Sequence, residues 1–220
     1  MIRTATRLLG AAVAMALAGC ASAPMHYYTL MAPAAESADE PMPPAAESAG
    51  ASTAAADQGA AGLPFELLPV SVPAQVDVPQ LVVREGGQGV AMLEGRRWIA
   101  PLGSELRGAL SADLARQLHS QDVSGLPGNQ QPLLRIKLEL HRFDSQLGGY
   151  ALIEAAWSVR VLHAAHGSAL ACSSRVRETV GPGYDALVQG HQRALAQLAA
   201  QIAGAARALG RDEVPTCPAS

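Results

Sequence analysis

The chain has 220 residues, a net charge of −3 and nearly half apolar residues, yet only 4% aromatics. That length allows one domain of ordinary size plus linker, with a core built from Leu, Val, Ile and Ala. Without a basic excess, nucleic acid is not an expected partner, because phosphate contacts supply most of that affinity.

Arg3 and Arg7 open the chain, and an apolar run from Leu8 to Ala18 follows. The run is too short to span a bilayer, which needs ~20 apolar residues. A basic start, a brief apolar stretch and small residues before a cut site make an export signal. Leu17-Ala18-Gly19-Cys20 resembles the end of a bacterial lipoprotein signal. In such signals the cysteine thiol is lipidated and the chain is cut just before it. Cys20 is therefore the expected lipidation site and the first residue of the mature chain. Acyl chains contribute ~0.8 kcal/mol per buried CH2, so several of them make a durable anchor. Ala21 follows, not the Asp that resembles an inner-membrane retention signal. The expected location is the periplasmic face of the outer membrane, held by lipid.

Five stretches are expected: a signal peptide at 1–19, a lipidated N-terminus and first strand at 20–31, an Ala/Pro-rich stretch at 32–62, a folded domain at 63–211 and a tail at 212–220. Tyr27-Tyr28-Thr29-Leu30 has the aromatic and β-branched character of a strand. The 32–62 stretch holds almost no large apolar residue, so burial cannot offset its ordering entropy. Prolines 33, 41, 43 and 44 argue against a long helix there.

From Pro64 the pattern changes. Leu68, Val70 and Val72 alternate with polar or small residues as in a strand. Leu81-Val82-Val83 forms another, and Gly86, Gly87 and Gly89 turn it back through Val90–Leu93 as a hairpin. Pro101 opens a helix whose leucines recur at 102, 106, 110, 114 and 118, with Glu105, Arg107, Asp113 and Arg116 assigned to the wet side. Three alternating segments come next: Leu134–His141, Ile153–Val161 and Leu170–Arg177. They read as an antiparallel meander with one solvent face. A final helix begins near Asp185, carries Val188, Leu195, Leu198, Ile202 and Leu209 on one stripe, and stops at Gly210. The expected fold is α+β, an antiparallel or mixed sheet with two helices packed on one face.

No GxSxG, HExxH or CxxC is present, and no nucleophile stands at a recognisable spacing from a base. No enzyme activity, cofactor or metal site is expected. His163 and His166 read as turn histidines facing water, His191 as a partly buried helix histidine, and Asp144 and Ser145 as turn residues capping backbone. Cys172 and Cys217 either pair, as an oxidising compartment permits, or stay free. A bond between them would be worth ~4 kcal/mol in the chain-entropy model. Two surfaces are candidates for a partner. One is the outer face of the meander, with Arg135, Lys137, Arg160, Arg175 and Arg177 among Glu139 and Glu154. The other is Trp98 behind Arg96-Arg97, which either packs on the helix start or anchors an interface.

The order of landmarks resembles a known family. The lipoprotein signal followed by Tyr27-Tyr28-Thr29-Leu30, the stretch Val72-Pro73 through Val76-Asp77-Val78-Pro79-Gln80-Leu81-Val82-Val83-Arg84, Arg97-Trp98 before Pro101-Leu102, and Leu134–Phe143 together resemble the ABC-type transport auxiliary lipoproteins of the PqiC/YmbA-like kind. That resemblance implies an accessory component of a system that joins an ABC transporter to an MCE-domain protein, moves lipid between the two membranes and supports envelope integrity. It implies docking of the MCE assembly, with a ring-like homo-oligomer as one arrangement, and it carries over no catalytic residue. An assembly lipoprotein for an outer-membrane barrel and a lipid carrier are the alternatives. The carrier would need an apolar cavity between sheet and helices.

Overall fold

The computed structural model describes residues 24–33, 62–128, 130–164 and 167–218. The signal peptide, Cys20, most of the 32–62 stretch and His166 lie outside the described residues. The alternation that starts at Leu134 builds β5 (Leu133–Gln146), the longest strand. It pairs antiparallel with β6 (Tyr150–Leu162), which pairs antiparallel with β7 (Ala169–Thr179). On the other edge of β5 lies β2 (Phe65–Leu67), in parallel. A second, three-stranded sheet has the order β1 (His26–Tyr28), β4 (Gly89–Trp98), β3 (Gln80–Gly86), with β1 parallel to β4 and β3 antiparallel to it. Two helices complete the fold, α1 (Leu102–Leu118) and α2 (Tyr184–Gly210). α2 lies on β6 and β7, and α1 lies against α2. Inward residues of both sheets and both helices form one core that includes Phe65, Ile136, Trp157, Leu110 and Leu198. The α+β class is as expected, with two sheets in place of one.

Three local differences have physical causes. The strand expected on Leu68, Val70 and Val72 lies earlier, at Phe65–Leu67. Phe65 and Leu67 are the buried pair, and Pro69 has no N–H to continue a ladder. The chain beyond still follows β5, since Leu68 N donates to Ile136 O at 2.9 Å and Ser71 N to Leu138 O at 3.3 Å. In β5 itself a bulge between Leu140 and Arg142 inserts His141 and resets the alternation. Phe143 and Ser145 thereby point inward, and Asp144 and Ser145 are strand residues, not turn caps. On α1, Glu105 and Asp113 are buried rather than wet. A helix repeats every 3.6 residues, so positions three after Leu102 and Leu110 share their face.

Glu105 is buried to receive the N-terminal segment. Its Oε2 accepts from Leu30 N at 2.8 Å and from Thr29 Oγ1 at 2.7 Å. From α2, Gln192 Nε2 donates to the carbonyls of Thr29 (3.1 Å) and Met31 (3.3 Å). Leu30 is 1% exposed in the core. The expected first strand is thus part of the folded unit, beginning at His26.

α2 approaches the sheet closely. A Cβ on Gly190 would stand 2.2 Å from Val180 Cγ1 and 3.2 Å from Ala151 Cβ. The next residue, His191, is buried against the flat of Phe143, with ring centroids 3.9 Å apart. Its Nε2 is 2.8 Å from Ser145 Oγ, while Nδ1 has no partner among the described residues. Burial pushes the imidazole pKa down to about 3, against a smaller opposing pull from Asp144. At the far end, a disulfide joins Cys172 on β7 to Cys217, with Cα atoms 5.6 Å apart, and Val214–Pro218 run beside Ala200, Gly204 and Ala208 of α2.

Two outcomes are expected. Glu105→Ala leaves the Leu30 N–H buried without an acceptor and lowers unfolding free energy by ~1–3 kcal/mol in urea melts. Tyr28→Ser with Leu30→Ser also lowers the thermal midpoint, and unchanged melts for both would place β1 outside the cooperative unit. The second outcome concerns acid. His191 is neutral in the native state down to about pH 3, whereas the unfolded chain takes up a proton near pH 6.5. The unfolded state therefore binds more protons below that value, and stability falls with pH at up to ~1.4 kcal/mol per unit. His191→Leu flattens this fall between pH 7 and 5, read as the urea midpoint. Asp113, whose carboxyl burial pushes up, gives an opposite slope in both proteins and drops out of the difference.

Candidate functional site

The outer face of the four-stranded sheet is set by the same alternation that builds the core. With Ile136, Leu138, Val159, Val161 and Val176 turned inward, Arg135, Lys137, Arg160, Arg175 and Arg177 are turned out, and all five are exposed. The expected basic face is therefore a real surface. Its middle is flat, because Ala156 pairs with Ser173 and Ser158 with Ala171 across β6 and β7.

The charges on this face are not equivalent. At one end they form a ladder across four strands. Asp144 takes Arg84 of β3 at 3.0 Å and Arg142 at 2.5 Å. Arg142 reaches Glu154 at 3.8 Å, and Arg175 meets the same Glu154 at 3.3 Å. Partial burial works against the Asp144 charge, but hydrogen bonds and charge from Arg84 and Arg142 outweigh it and hold its carboxyl below the ordinary range. The same bond raises the Arg84 pKa. Arg177 lies over the Tyr150 ring at 3.9 Å. At the other end the cations are freer. Arg135 reaches sideways to Glu66 at 2.8 Å, Lys137 is 3.9 Å from Glu139, and Arg160 has no charged partner among the described residues. Arg135 and Arg160 are register partners, so two cationic residues sit opposite one another on the sheet, with Arg135 turned to Glu66. Like charges held opposite one another on a sheet are unfavourable unless something negative joins them.

Trp98 is not on this surface. It is 5% exposed and meets Phe143 edge-on, with centroids 6.0 Å apart. Of the two readings for Trp98, packing is the one the geometry supports, and an interface anchor would have to be exposed. His163 is exposed, with φ 58° at the turn after β6.

The fold also brings together groups that sequence spacing could not link. A cleft of about 340 Å³ lies at the seam of β3 and β5, lined by Val82, Val83, Arg84, Phe143, Asp144 and Ser145 among others. Ser145 and His191, 46 residues apart, form a hydrogen-bonded Ser–His pair beside it. This pair is poorly suited to nucleophilic catalysis. An imidazole whose pKa is about 3 is a weak proton acceptor at neutral pH, and among the described residues no acid orients its Nδ1. A second polar node ties the loop after α1 to β2. Asp122 accepts from Ser111 Oγ at 2.6 Å and from Ser124 N at 2.9 Å, and Arg107 stands 3.5 Å away. Burial opposes the Asp122 charge, but these donors hold the carboxyl below its ordinary range. Ser124 and Arg107 also reach the backbone of Leu67, so the node is structural.

The profile of the family described as ABC-type transport auxiliary lipoprotein component matches residues 45–203, more than half of the chain. No curated protein matches the sequence. Among solved structures, a crystal structure of an uncharacterized protein is similar at 19% identity and TM-score 0.58, covering 82% of this chain and 97% of its own. One from Xanthomonas campestris is similar at 14% identity and TM-score 0.50, covering 68% of this chain and 87% of its own. At those identities the likeness speaks for the fold alone, and the profile speaks for kinship. The chain belongs to the ABC-type transport auxiliary lipoprotein family.

Proposed function

We propose that this protein is a non-enzymatic accessory lipoprotein of an ABC transporter that works with an MCE-domain protein to move lipid between the inner and outer membranes. Acylated Cys20 holds it on the periplasmic face of the outer membrane, and the folded domain docks the periplasmic MCE assembly there. The observation that carries this reading is the family match over residues 45–203, on a chain whose start has the form of a lipoprotein signal ending at Cys20. The location is read from Ala21, since the residue after the cysteine directs sorting.

The basic end of the outer sheet face is the docking surface in this reading. Arg135, Lys137 and Arg160 are exposed and set on rigid strands over a flat centre of Ala and Ser, with Lys137 only loosely paired and Arg160 without a charged partner among the described residues. Such a face suits an acidic partner, with charge setting encounter rate and orientation more than affinity. Close packing at Gly190, and the full burial of Ala194, Ala199, Ala203 and Ala206, speak for α2 alanines that bring helix and sheet together rather than line a cargo space.

The test is recovery of an MCE protein with this lipoprotein from crosslinked envelopes. Lys137→Glu with Arg160→Glu is expected to cut that recovery several-fold while leaving the thermal midpoint within a degree or two, because both side chains are exposed. Recovery of unrelated outer-membrane proteins only would end the transport reading. Undiminished recovery with the double variant would move the docking surface elsewhere.

A further inference from the structure

The outer face of the three-stranded sheet is built from a different set of residues. Tyr28 and Trp98 pack on the core, so alternation turns Tyr27 and Ile99 outward. Leu81 and Val83 also point in, which turns Val82 and its register partner Met92 outward, with Val90 beyond them opposite Arg84. Ile99 is 68% exposed, Tyr27 61%, Val90 59%, Met92 58% and Met25 43%. A single exposed apolar residue needs no explanation, but a set of them on one sheet face marks a contact surface.

Position along the chain indicates what covers this face. Met25 is five residues after Cys20 and Tyr27 seven, so at ~3.6 Å per residue they lie within about 18 and 25 Å of it. β1 cannot swing free, because Glu105 and Gln192 fasten the residues that follow it. Ile99 is fastened to the same strand through its N–H on the Tyr28 carbonyl at 2.9 Å. The chemistry fits a membrane interface. Tyr places an apolar ring in the acyl boundary and a hydroxyl among headgroups. Arg97 is the register partner of Tyr27, its side chain is 32% exposed, and its terminal nitrogen makes only a loose contact with Glu94 at 3.9 Å. A guanidinium so placed is suited to a lipid phosphate.

We propose that Met25, Tyr27, Ile99 and the Val90–Met92 side of the hairpin rest in the headgroup layer of the membrane that holds the anchor, with Arg97 on a lipid phosphate. This inference rests on Cys20 being the acylated residue. The domain then has a fixed orientation on the membrane and does not tumble on a leash. Contacts of this kind lie ~5–10 Å deep.

The lipidated protein in phosphatidylethanolamine/phosphatidylglycerol vesicles provides the test. Tyr27→Cys, Ile99→Cys and Met92→Cys are each labelled with an environment-sensitive dye, with Lys137→Cys as the reference on the other sheet. Met92 reports on the face without touching β1, so a loosened strand in the Tyr27 variant does not decide the result. Shallow nitroxide lipids are expected to quench the labels at 27, 99 and 92 at least threefold more than the label at 137. Equal quenching at all four, with acyl mass found on Cys20, overturns the proposal and leaves the anchor reading intact. Absence of acyl mass on Cys20 overturns the anchor reading beneath it. Position-27 crosslinks between copies without lipid quenching would give the face to a second copy of the chain and equally overturn the proposal.

Discussion

Phe143 is the point through which the parts of this fold meet. Its ring lies flat against His191 of α2 and edge-on to Trp98 of β4. One stack thus joins the four-stranded sheet, the long helix and the three-stranded sheet. It depends on the bulge at His141, since without that extra residue Phe143 would face solvent and the stack would not form. The bulge also turns Asp144 outward to Arg84. A one-residue irregularity therefore fixes both the inner joint and the outer ladder of charges between the sheets. The neutral His191 follows from the same arrangement, because an imidazole pressed between a ring and a helix has no water to support its charge.

The two sides of the N-terminal region divide the work. Inward, Tyr28 and Leu30 join the core and Glu105 satisfies the backbone of Leu30. Outward, Tyr27 and Met25 stay bare. The three-residue strand is short, yet it converts a chain end into a fixed edge of the sheet. Thirty residues of Ala/Pro-rich sequence follow before the chain returns at Gly62 against the end of α1, where Gly62 would meet the Leu118 carbonyl if it carried a Cβ. In the anchored arrangement proposed above, the anchor acts on the β1–β4 edge rather than through that stretch.

Much of this was legible from pattern alone, and the limits have physical causes. The meander was readable because Leu134–Leu140, Ile153–Val161 and Cys172–Val176 keep a two-residue period with charges on the alternate positions. Reading stopped at His141 because a bulge breaks that period without leaving a glycine or proline to mark it. Both helices were visible, but counting leucines every four residues put Glu105 and Asp113 on the wrong side, since charge outweighed the 3.6-residue period. Buried Glu105 is decided by a partner 75 residues away, which no local window contains. The basic face was legible because it needs only alternation. Which of its cations are free was not, because the pairing of Arg135 with Glu66 and of Arg175 with Glu154 depends on neighbouring strands.

The link between Cys172 and Cys217 also bears on the open edge of the larger sheet. Among the described residues β7 closes its sheet with no strand beyond it, and a bare strand edge is a template for pairing with another chain. The disulfide brings the tail alongside, with Cys217 Sγ 3.5 Å from the Ala171 carbonyl. The chain thereby covers part of its own open edge, but only after oxidation. Without the bond nothing covalent holds the tail at that edge. The bond that staples the tail therefore also protects the edge of the larger sheet.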